Sequence, residues 1–329
     1  MRKQTSVFVL NWNGRAHLEA CLRGLAAQTW RDFDLFVIDN GSSDGSILWL
    51  REQDIHPLLL LELGTNRGFA GGNAAGLRAL PQETEYVVLL NNDTAPEPGW
   101  LGALVKAAKE DSRRGAVASL LVDWEGKQID SAGIGLRVTG RGYQRYRRCP
   151  RSAGSNSCLV FGACAGAALY RRSMLDEVGF LDERFFMNGE DTDLSFRARL
   201  MGWDVWYCSE AVVRHRISAS QNLGSTSSVF LNERNWIWSV AKCMPISLLW
   251  KYSWVYMIES PARGWFFLRQ GMFVAWARGI LAGIRGAWSY RYERRRIKHM
   301  RRISPKELER FLIYPRQLGG TDDDCDSRQ

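Results

Sequence analysis

Over the first 120 residues, short apolar runs alternate with stretches of helical periodicity. Val7-Phe-Val-Leu-Asn11, Leu35-Phe-Val-Ile-Asp39, Leu58-Leu-Leu-Leu-Glu62 and Tyr86-Val-Val-Leu-Leu90 have the length and composition of buried strands. Segments near 15–27, 45–54, 72–80 and 99–110 read as the helices between them. This series predicts an α/β fold on a mostly parallel, doubly wound sheet, whose ligands collect at the carboxyl ends of the strands. There each strand runs into polar residues: Asn11-Trp-Asn13, Asp39-Asn-Gly-Ser-Ser-Asp44, Gly64-Thr-Asn-Arg67 and Asn91-Asn-Asp93. Four polar ends point to one shared crevice.

Residues 121–157 are rich in Gly and Arg and weakly periodic, which predicts a β-excursion or a mobile loop over that crevice. A second patterned block runs from Cys158 to Arg216 and includes Gly162-Ala-Cys-Ala-Gly166, a short helix after Ser173, and the run Met187 to Gly202. In that run Asp191 or Thr192 is placed to cap a helix that stops at Gly202, with Asp193 favourable in the first turn.

Composition changes this picture in the last third of the chain. Among 329 residues, 46% hydrophobic and 24% charged, nothing suggests a disordered or low-complexity protein. The seven Cys are scattered and never spaced CxxC, which predicts reduced thiols and a cytosolic-facing protein. Met1-Arg-Lys-Gln-Thr5 leads into the first strand without a secretory h-region, so export is not expected. Net charge is +9, and it is local: Val240 to Arg302 holds thirteen Lys/Arg against two Glu, while the remainder has 31 cations and 33 carboxylates.

Seven of the fourteen Trp lie in or just before this basic region. Leu248–Ile258 and Trp265–Ile284 are strongly apolar, yet Lys251, Arg269 and Arg278 interrupt any run long enough to span a bilayer. Arg278 and Arg285 share one helix face, Arg269 falls nearly opposite, and Arg291–Arg302 would meet anionic headgroups. Residues 236–320 are therefore expected to form a mainly helical region on an anionic membrane surface, followed by a short acidic tail at 321–329. Every polar strand end lies before residue 240, so this region is expected to be separable from the nucleotide-binding fold.

Polar strand ends of an α/β sheet can hold a dinucleotide, but no Gly-x-Gly-x-x-Gly follows the first strand, and no P-loop occurs. A nucleotide reader lacking both phosphate loops needs another partner for the diphosphate, and a divalent cation held by Asp93 supplies one. His17, His56 and His299 have no motif around them and read as surface or structural residues.

Taken in order, Asn11-Trp-Asn-Gly14, Val37-Ile-Asp-Asn-Gly-Ser-Ser-Asp-Gly45, Asn66 to Gly76, Leu89-Leu-Asn-Asn-Asp93, Gly162–Gly166 and Gly189-Glu-Asp-Thr-Asp-Leu-Ser-Phe-Arg197 resemble glycosyltransferase family 2, especially its rhamnosyltransferase-like branch. The resemblance covers about the first two thirds of the chain. It implies a GT-A fold, with 1–120 as the nucleotide-sugar half and 121–235 as the acceptor and catalytic half. It also implies Mg²⁺ or Mn²⁺ and transfer with inversion.

Residue by residue, the resemblance implies that Asp39 reads the pyrimidine N3–H, and that Asn11, Asn13, Asn66, Arg67, Gly71, Asn73, Asn91 and Asn92 contact the donor. Asn91-Asn92-Asp93 stands where the family has DxD, with Asn for the first Asp, so Asp93 is left as the metal carboxylate. His215 falls where some members complete that metal site. Asp191 corresponds to the general base that takes the acceptor hydroxyl proton, with Glu190 beside it. A turn-capping role fits Asp44 better than Asp39.

The function implied is transfer of rhamnose from dTDP-rhamnose to a lipid-linked glycan acceptor in bacterial cell-surface polysaccharide synthesis, by a peripheral enzyme at the cytoplasmic face of the inner membrane. Asp39 cannot tell uracil from thymine, so transfer from UDP-hexose or UDP-GlcNAc remains the alternative. A sugar-phosphate nucleotidyltransferase would need a longer, Lys-bearing loop than Asn11-Trp-Asn-Gly-Arg15. A basic nucleic-acid-binding protein would leave Asn91-Asn-Asp93 and Glu190-Asp191 unexplained, and nucleic acid is not an expected partner.

Overall fold

The structure, a computed structural model, describes residues 3–53, 58–81, 83–216 and 225–314. The acidic tail and His56 lie outside the described residues. The N-terminal series is β1 (Thr5–Asn11), α1 (Arg15–Ala26), β2 (Phe33–Asp39), α2 (Ser46–Arg51), β3 (Leu58–Glu62), α3 (Gly68–Ala79), β4 (Tyr86–Asn91), β5 (Thr94–Pro96) and α4 (Trp100–Glu110). Alternation along each strand sets the two faces of the sheet. Phe8, Val87 and Leu89 enter one apolar core, whereas Val7, Val9, Tyr86, Val88 and Leu90 enter the other.

After α4 come β6 (Arg114–Val122), β7 (Ile129–Ala132), β8 (Ile134–Arg137), β9 (Gly142–Gln144), β10 (Cys158–Val160), β11 (Ala167–Arg171), α5 (Arg172–Val178), α6 (Glu190–Leu200) and β12 (Asp204–His215). The main sheet runs β10-β12-β6-β11-β4-β1-β2-β3, with β5 on β12 and β7 on β6. The parallel arrangement expected for the whole sheet holds within β1–β4 and between β6 and β12. It fails at β11, which enters between β4 and β6 antiparallel to both and makes the sheet mixed. Residues 121–157 are the expected β-excursion: β8 and β9 form a second small sheet with β13 (Leu312–Ile313).

The last third contains α7 (Thr226–Cys243), α8 (Ile246–Lys251), α9 (Ser253–Arg269), α10 (Phe273–Ala287), α11 (Arg291–Met300) and α12 (Pro305–Glu309). It is mainly helical, as expected, but it is not a detachable appendage. Leu248, Tyr252, Val255, Ile297 and Leu308 are buried in the same core as Ile134, Phe161 and Leu194. β13 also pairs with β8, so chain past residue 300 completes a sheet begun at residue 134. The apolar stretch 265–284 is two helices, because Gly271 adopts φ 70° and ends α9 before α10 begins. Arg269 and Arg278 thus belong to different helices, which removes the apparent conflict in their facing. Among the described residues no helix is long and apolar enough to cross a membrane, and the six described Cys are free.

Candidate active site

The short strand β5 decides the site's geometry. β4 ends at Asn91, the chain turns through Asn92 and Asp93, and β5 then pairs with the end of β12, placing His215 opposite Thr94. His215 Nε2 consequently lies 3.4 Å from Asp93 Oδ1. On its other side, Nδ1 lies 2.8 Å from Oδ2 of Asp130, which sits on β7 across β6. Burial alone would lower the imidazole pKa, but the hydrogen bonds and charges of Asp130 and Asp93 outweigh it and lift His215 to about 10. Arg147 approaches the far oxygen of Asp130 at 3.5 Å.

The second group of carboxylates is at the start of α6. The residue ahead of this helix is Gly189, with φ 84° and no side-chain cap, so neither Asp191 nor Thr192 is the expected helix cap. The helix starts at Glu190, two residues earlier than a cap at Asp191 would allow. Asp191 instead accepts from the backbone N–H of Thr192 at 2.6 Å and of Ala165, in the Gly162–Gly166 segment, at 3.4 Å. Burial pushes its pKa upward against those hydrogen bonds. Glu190 is buried, its Oε2 has no hydrogen-bond partner among the described residues, and burial followed by the charge of Asp191 drives its pKa strongly upward. Asp193 plays a different part. Fully buried, it holds Arg197 at 2.9 Å and Lys242 of α7 at 2.9 Å.

Asn91, Asp93, Asp130, Glu190, Asp191 and His215 line one pocket of about 460 Å³. Four of the six were expected at the chemistry, Asn91 was expected on the donor, and Asp130 was not foreseen. No motif surrounds Asp130, and its partnership with His215 exists only through the pairing of β7 and β12 with β6. The far wall was also missed. It holds Arg141 stacked 3.5 Å over the Trp236 ring, together with Arg263 of α9. Behind them Glu233, fully buried, pairs with Arg141 at 2.6 Å and with Arg263 at 2.5 Å, and Glu259 lies 3.1 Å from Arg141. The helical region therefore furnishes part of the pocket.

The remaining donor candidates gather at the ends of β1 and β2. Asn11, fully buried, donates to Asp39 Oδ1 at 3.2 Å and to Ser42 at 3.1 Å, and accepts from Asn92 at 2.8 Å. Asp39 caps the following turn through the N–H groups of Gly41 and Ser42, the role expected of Asp44; Asp44 does the same for Ser46. Asn13 is exposed and accepts from the Ser43 N–H, while Asn66 accepts from Asn40 and the Gly68 N–H beside an exposed Arg67. Gly71 and Asn73 are buried inside α3, with the Asn73 amide donating to the Phe69 carbonyl at 2.9 Å, so neither is open to a donor as it stands. That helix is fixed at Gly68 (φ 71°), where a side chain would collide with the Phe186 carbonyl.

Residues 6–179 match the family model described as glycosyl transferase family 2, a span that ends before Asp191 and His215. The chain belongs to that family. This family 2 glycosyltransferase is 31% identical over 239 residues to N-acetylglucosaminyl-diphospho-decaprenol L-rhamnosyltransferase of Mycobacterium tuberculosis, covering 64% of this chain and 75% of the relative. Among solved structures it is similar to the mannosyltransferase PcManGT of Pyrobaculum calidifontis in complex with GDP-Man and Mn²⁺, with TM-score 0.55, 17% identity, and coverage of 94% of this chain and 81% of that one. It is also similar to S. aureus TarS 1-349 in complex with UDP-GlcNAc, with TM-score 0.54, 14% identity, and coverage of 94% and 93%. The fold is accordingly GT-A, and the chain is a glycosyltransferase enzyme.

The pocket offers a divalent ion part of a coordination shell. Asp93 and His215 are adjacent, converge on the pocket and present one oxygen and one nitrogen. Among the described residues no group of three or more His, Cys, Asp or Glu assembles that could hold a metal. Two protein donors leave most of an ion's coordination to ligand oxygens, and the imidazole suits Mn²⁺ better than Mg²⁺.

Proposed function

We propose that this glycosyltransferase moves rhamnose from dTDP-rhamnose, with inversion at the anomeric carbon, onto a hydroxyl of a lipid-linked glycan in cell-surface polysaccharide synthesis, at the cytoplasmic face of the membrane. The observation that carries the reading is the placing of Asp191 and the Asp93–His215 pair on one pocket. A sugar hydroxyl is a poor nucleophile until its proton is removed, and Asp191 is the carboxylate in position to take it. Its two backbone hydrogen bonds orient the carboxylate, and burial makes it more basic than an ordinary Asp. In-line attack then expels the nucleoside diphosphate on the side of Asp93.

Asp93 and His215 would hold Mn²⁺ or Mg²⁺, which supplies positive charge for the leaving diphosphate. Asn91 lies beside that position on the pocket wall. The base and ribose fall to the cluster around Asp39, a carboxylate buried as it stands, whose Oδ2 is taken by the turn it caps and whose Oδ1, accepting from Asn11, keeps one acceptor position for a pyrimidine N3–H. The sugar and acceptor follow the mycobacterial relative, whose name specifies L-rhamnosyl transfer to a diphospho-decaprenol-linked sugar.

The test is a panel of dTDP-rhamnose, UDP-GlcNAc and UDP-hexoses with a lipid-linked acceptor and Mn²⁺, followed by release of nucleoside diphosphate and by the anomeric configuration of the product. Turnover confined to dTDP-rhamnose, with inverted product, is expected. Turnover of a UDP-sugar in its place, or retained configuration, would replace the reading.

A further inference from the structure

The outer surface of α8, α9 and α10 is apolar to an extent that the catalytic body is not. On α9, Trp254, Met257, Ile258, Trp265 and Leu268 are between 46% and 71% exposed, and their spacing of three, one, seven and three residues puts them on one side of the helix. Val255, Glu259, Gly264 and Phe267 form the buried side. α10 repeats the arrangement. Gly279 and Gly283 press against Phe230, Glu233 and Ile237 of α7, while Val274, Leu281 and Ile284 face outward. Trp250 and Trp288, each about three quarters exposed, stand beside this surface.

Charge identifies the occupant. Arg269, at the end of α9, and Arg278 and Arg285 of α10 are exposed on the same outward side as the apolar residues. The two carboxylates between residues 246 and 302 are already engaged, Glu259 buried against Arg141 and Glu293 against Arg184. A two-fold contact with a second copy would set these cations against one another, because the same patch would meet itself. An anionic lipid surface satisfies both the cations and the apolar side chains, with Trp rings at the level of the headgroups.

We propose that the outer faces of α8, α9 and α10 insert into the interfacial layer of an anionic bilayer, so that α9 separates the lipid from the active-site pocket. Arg263 lines the pocket from the side of α9 opposite Trp265, so one helix contacts pocket and lipid on its two sides. This places the pocket beside the membrane surface. The inference deepens the reading above and rests on it for the lipid-linked acceptor.

The full-length protein is sedimented with vesicles of phosphatidylcholine alone and of phosphatidylcholine with phosphatidylglycerol. Binding to the anionic vesicles, weakened only in part by salt, is expected. The triple variant Met257→Ser, Trp265→Ser, Leu268→Ser should lower that binding about tenfold or more, whereas Leu48→Ser with Leu159→Ser, exposed positions on the catalytic body, should not. Arg278→Glu with Arg285→Glu should abolish the preference for anionic lipid while donor binding persists. Wild-type binding by the triple variant overturns the proposal. So does a wild-type dimer in gel filtration that fails to bind vesicles and that the triple variant dissociates, because the face then belongs to a second copy. With a short-chain, water-soluble acceptor, the triple variant should turn over as fast as wild type. If neither turns over while vesicle binding follows the expected pattern, the transferase reading fails and the membrane face stands.

Discussion

The Asp130 carboxylate lies 2.8 Å from Nδ1 of His215 and so leaves Nε2 as the nitrogen that faces Asp93. Carboxylates in this position orient a ligating imidazole, and their loss costs about 10–100-fold in metal affinity. Asp130→Asn should weaken Mn²⁺ binding, measured calorimetrically with dTDP present, by about tenfold or more. Unchanged affinity would leave Asp130 a structural partner only.

In the metal-free protein the two carboxylates keep His215 protonated to about pH 10. A metal ion must displace that proton, so its apparent affinity should rise with pH from 7 toward 10. The stability linkage has the opposite sign. His215 is raised from 6.5, so its contribution to the metal-free fold is fully present below pH 6.5 and lost as pH rises through about 10. Melting of metal-free wild type against His215→Asn across this range reads the effect directly.

Asp191→Asn removes the proposed base while preserving size. Turnover should drop about a hundredfold or more with donor affinity nearly unchanged. Because burial raises the Asp191 pKa, wild-type kcat should climb with pH along an acid limb displaced above that of an ordinary Asp. A residual rate within a few-fold of wild type would make Asp191 a positioning residue.

Glu190 gives a stability test of the same site. Its folded pKa lies above the unfolded value of 4.5, so the fold binds the extra proton, and the charge becomes costly as pH rises past 4.5 toward the raised value. Glu190→Gln should therefore melt higher than wild type at neutral and mildly alkaline pH, and the difference should close near pH 4 and below, about where the unfolded carboxyl is also protonated. A difference independent of pH would point to packing.

The helical region should not be removable. Truncation near Val240 strips Leu248, Tyr252, Val255, Ile297 and Leu308 from the core. Loss of cooperative melting and of nucleotide binding is expected, and Leu308→Ala alone should cost about 2–5 kcal/mol. A truncated form that melts cooperatively and binds nucleotide would show the region to be separable after all.

The four N-terminal strands and their polar ends were legible because buried parallel strands are short, apolar and bounded by turn residues. Motif order also brought Asp93, Asp191 and His215 to one site. What the sequence could not show is pairing between distant strands. Asp130 has no local signal, and β11 carries no mark of its antiparallel entry. The same limit applies to charge. A count of cations gave the last third an outward-facing role, yet Lys242 points inward to Asp182 and Asp193, and Arg263 and Arg294 are spent on Glu233 and on the carbonyl groups of α7. Burial, which separates these from Arg278 and Arg285, is a property of the fold and not of composition.

Lys242 joins α7 to the helix that carries Asp191, through a buried ion pair with Asp193 only two residues away. Asp191, the proposed base, and the helices with the apolar outer face are thereby packed together through α7. With lipid on that face, Asp191 stands at a fixed height above the bilayer, like the jaw of a gauge. Acceptor hydroxyls would then be sorted by how many sugars separate them from their lipid anchor.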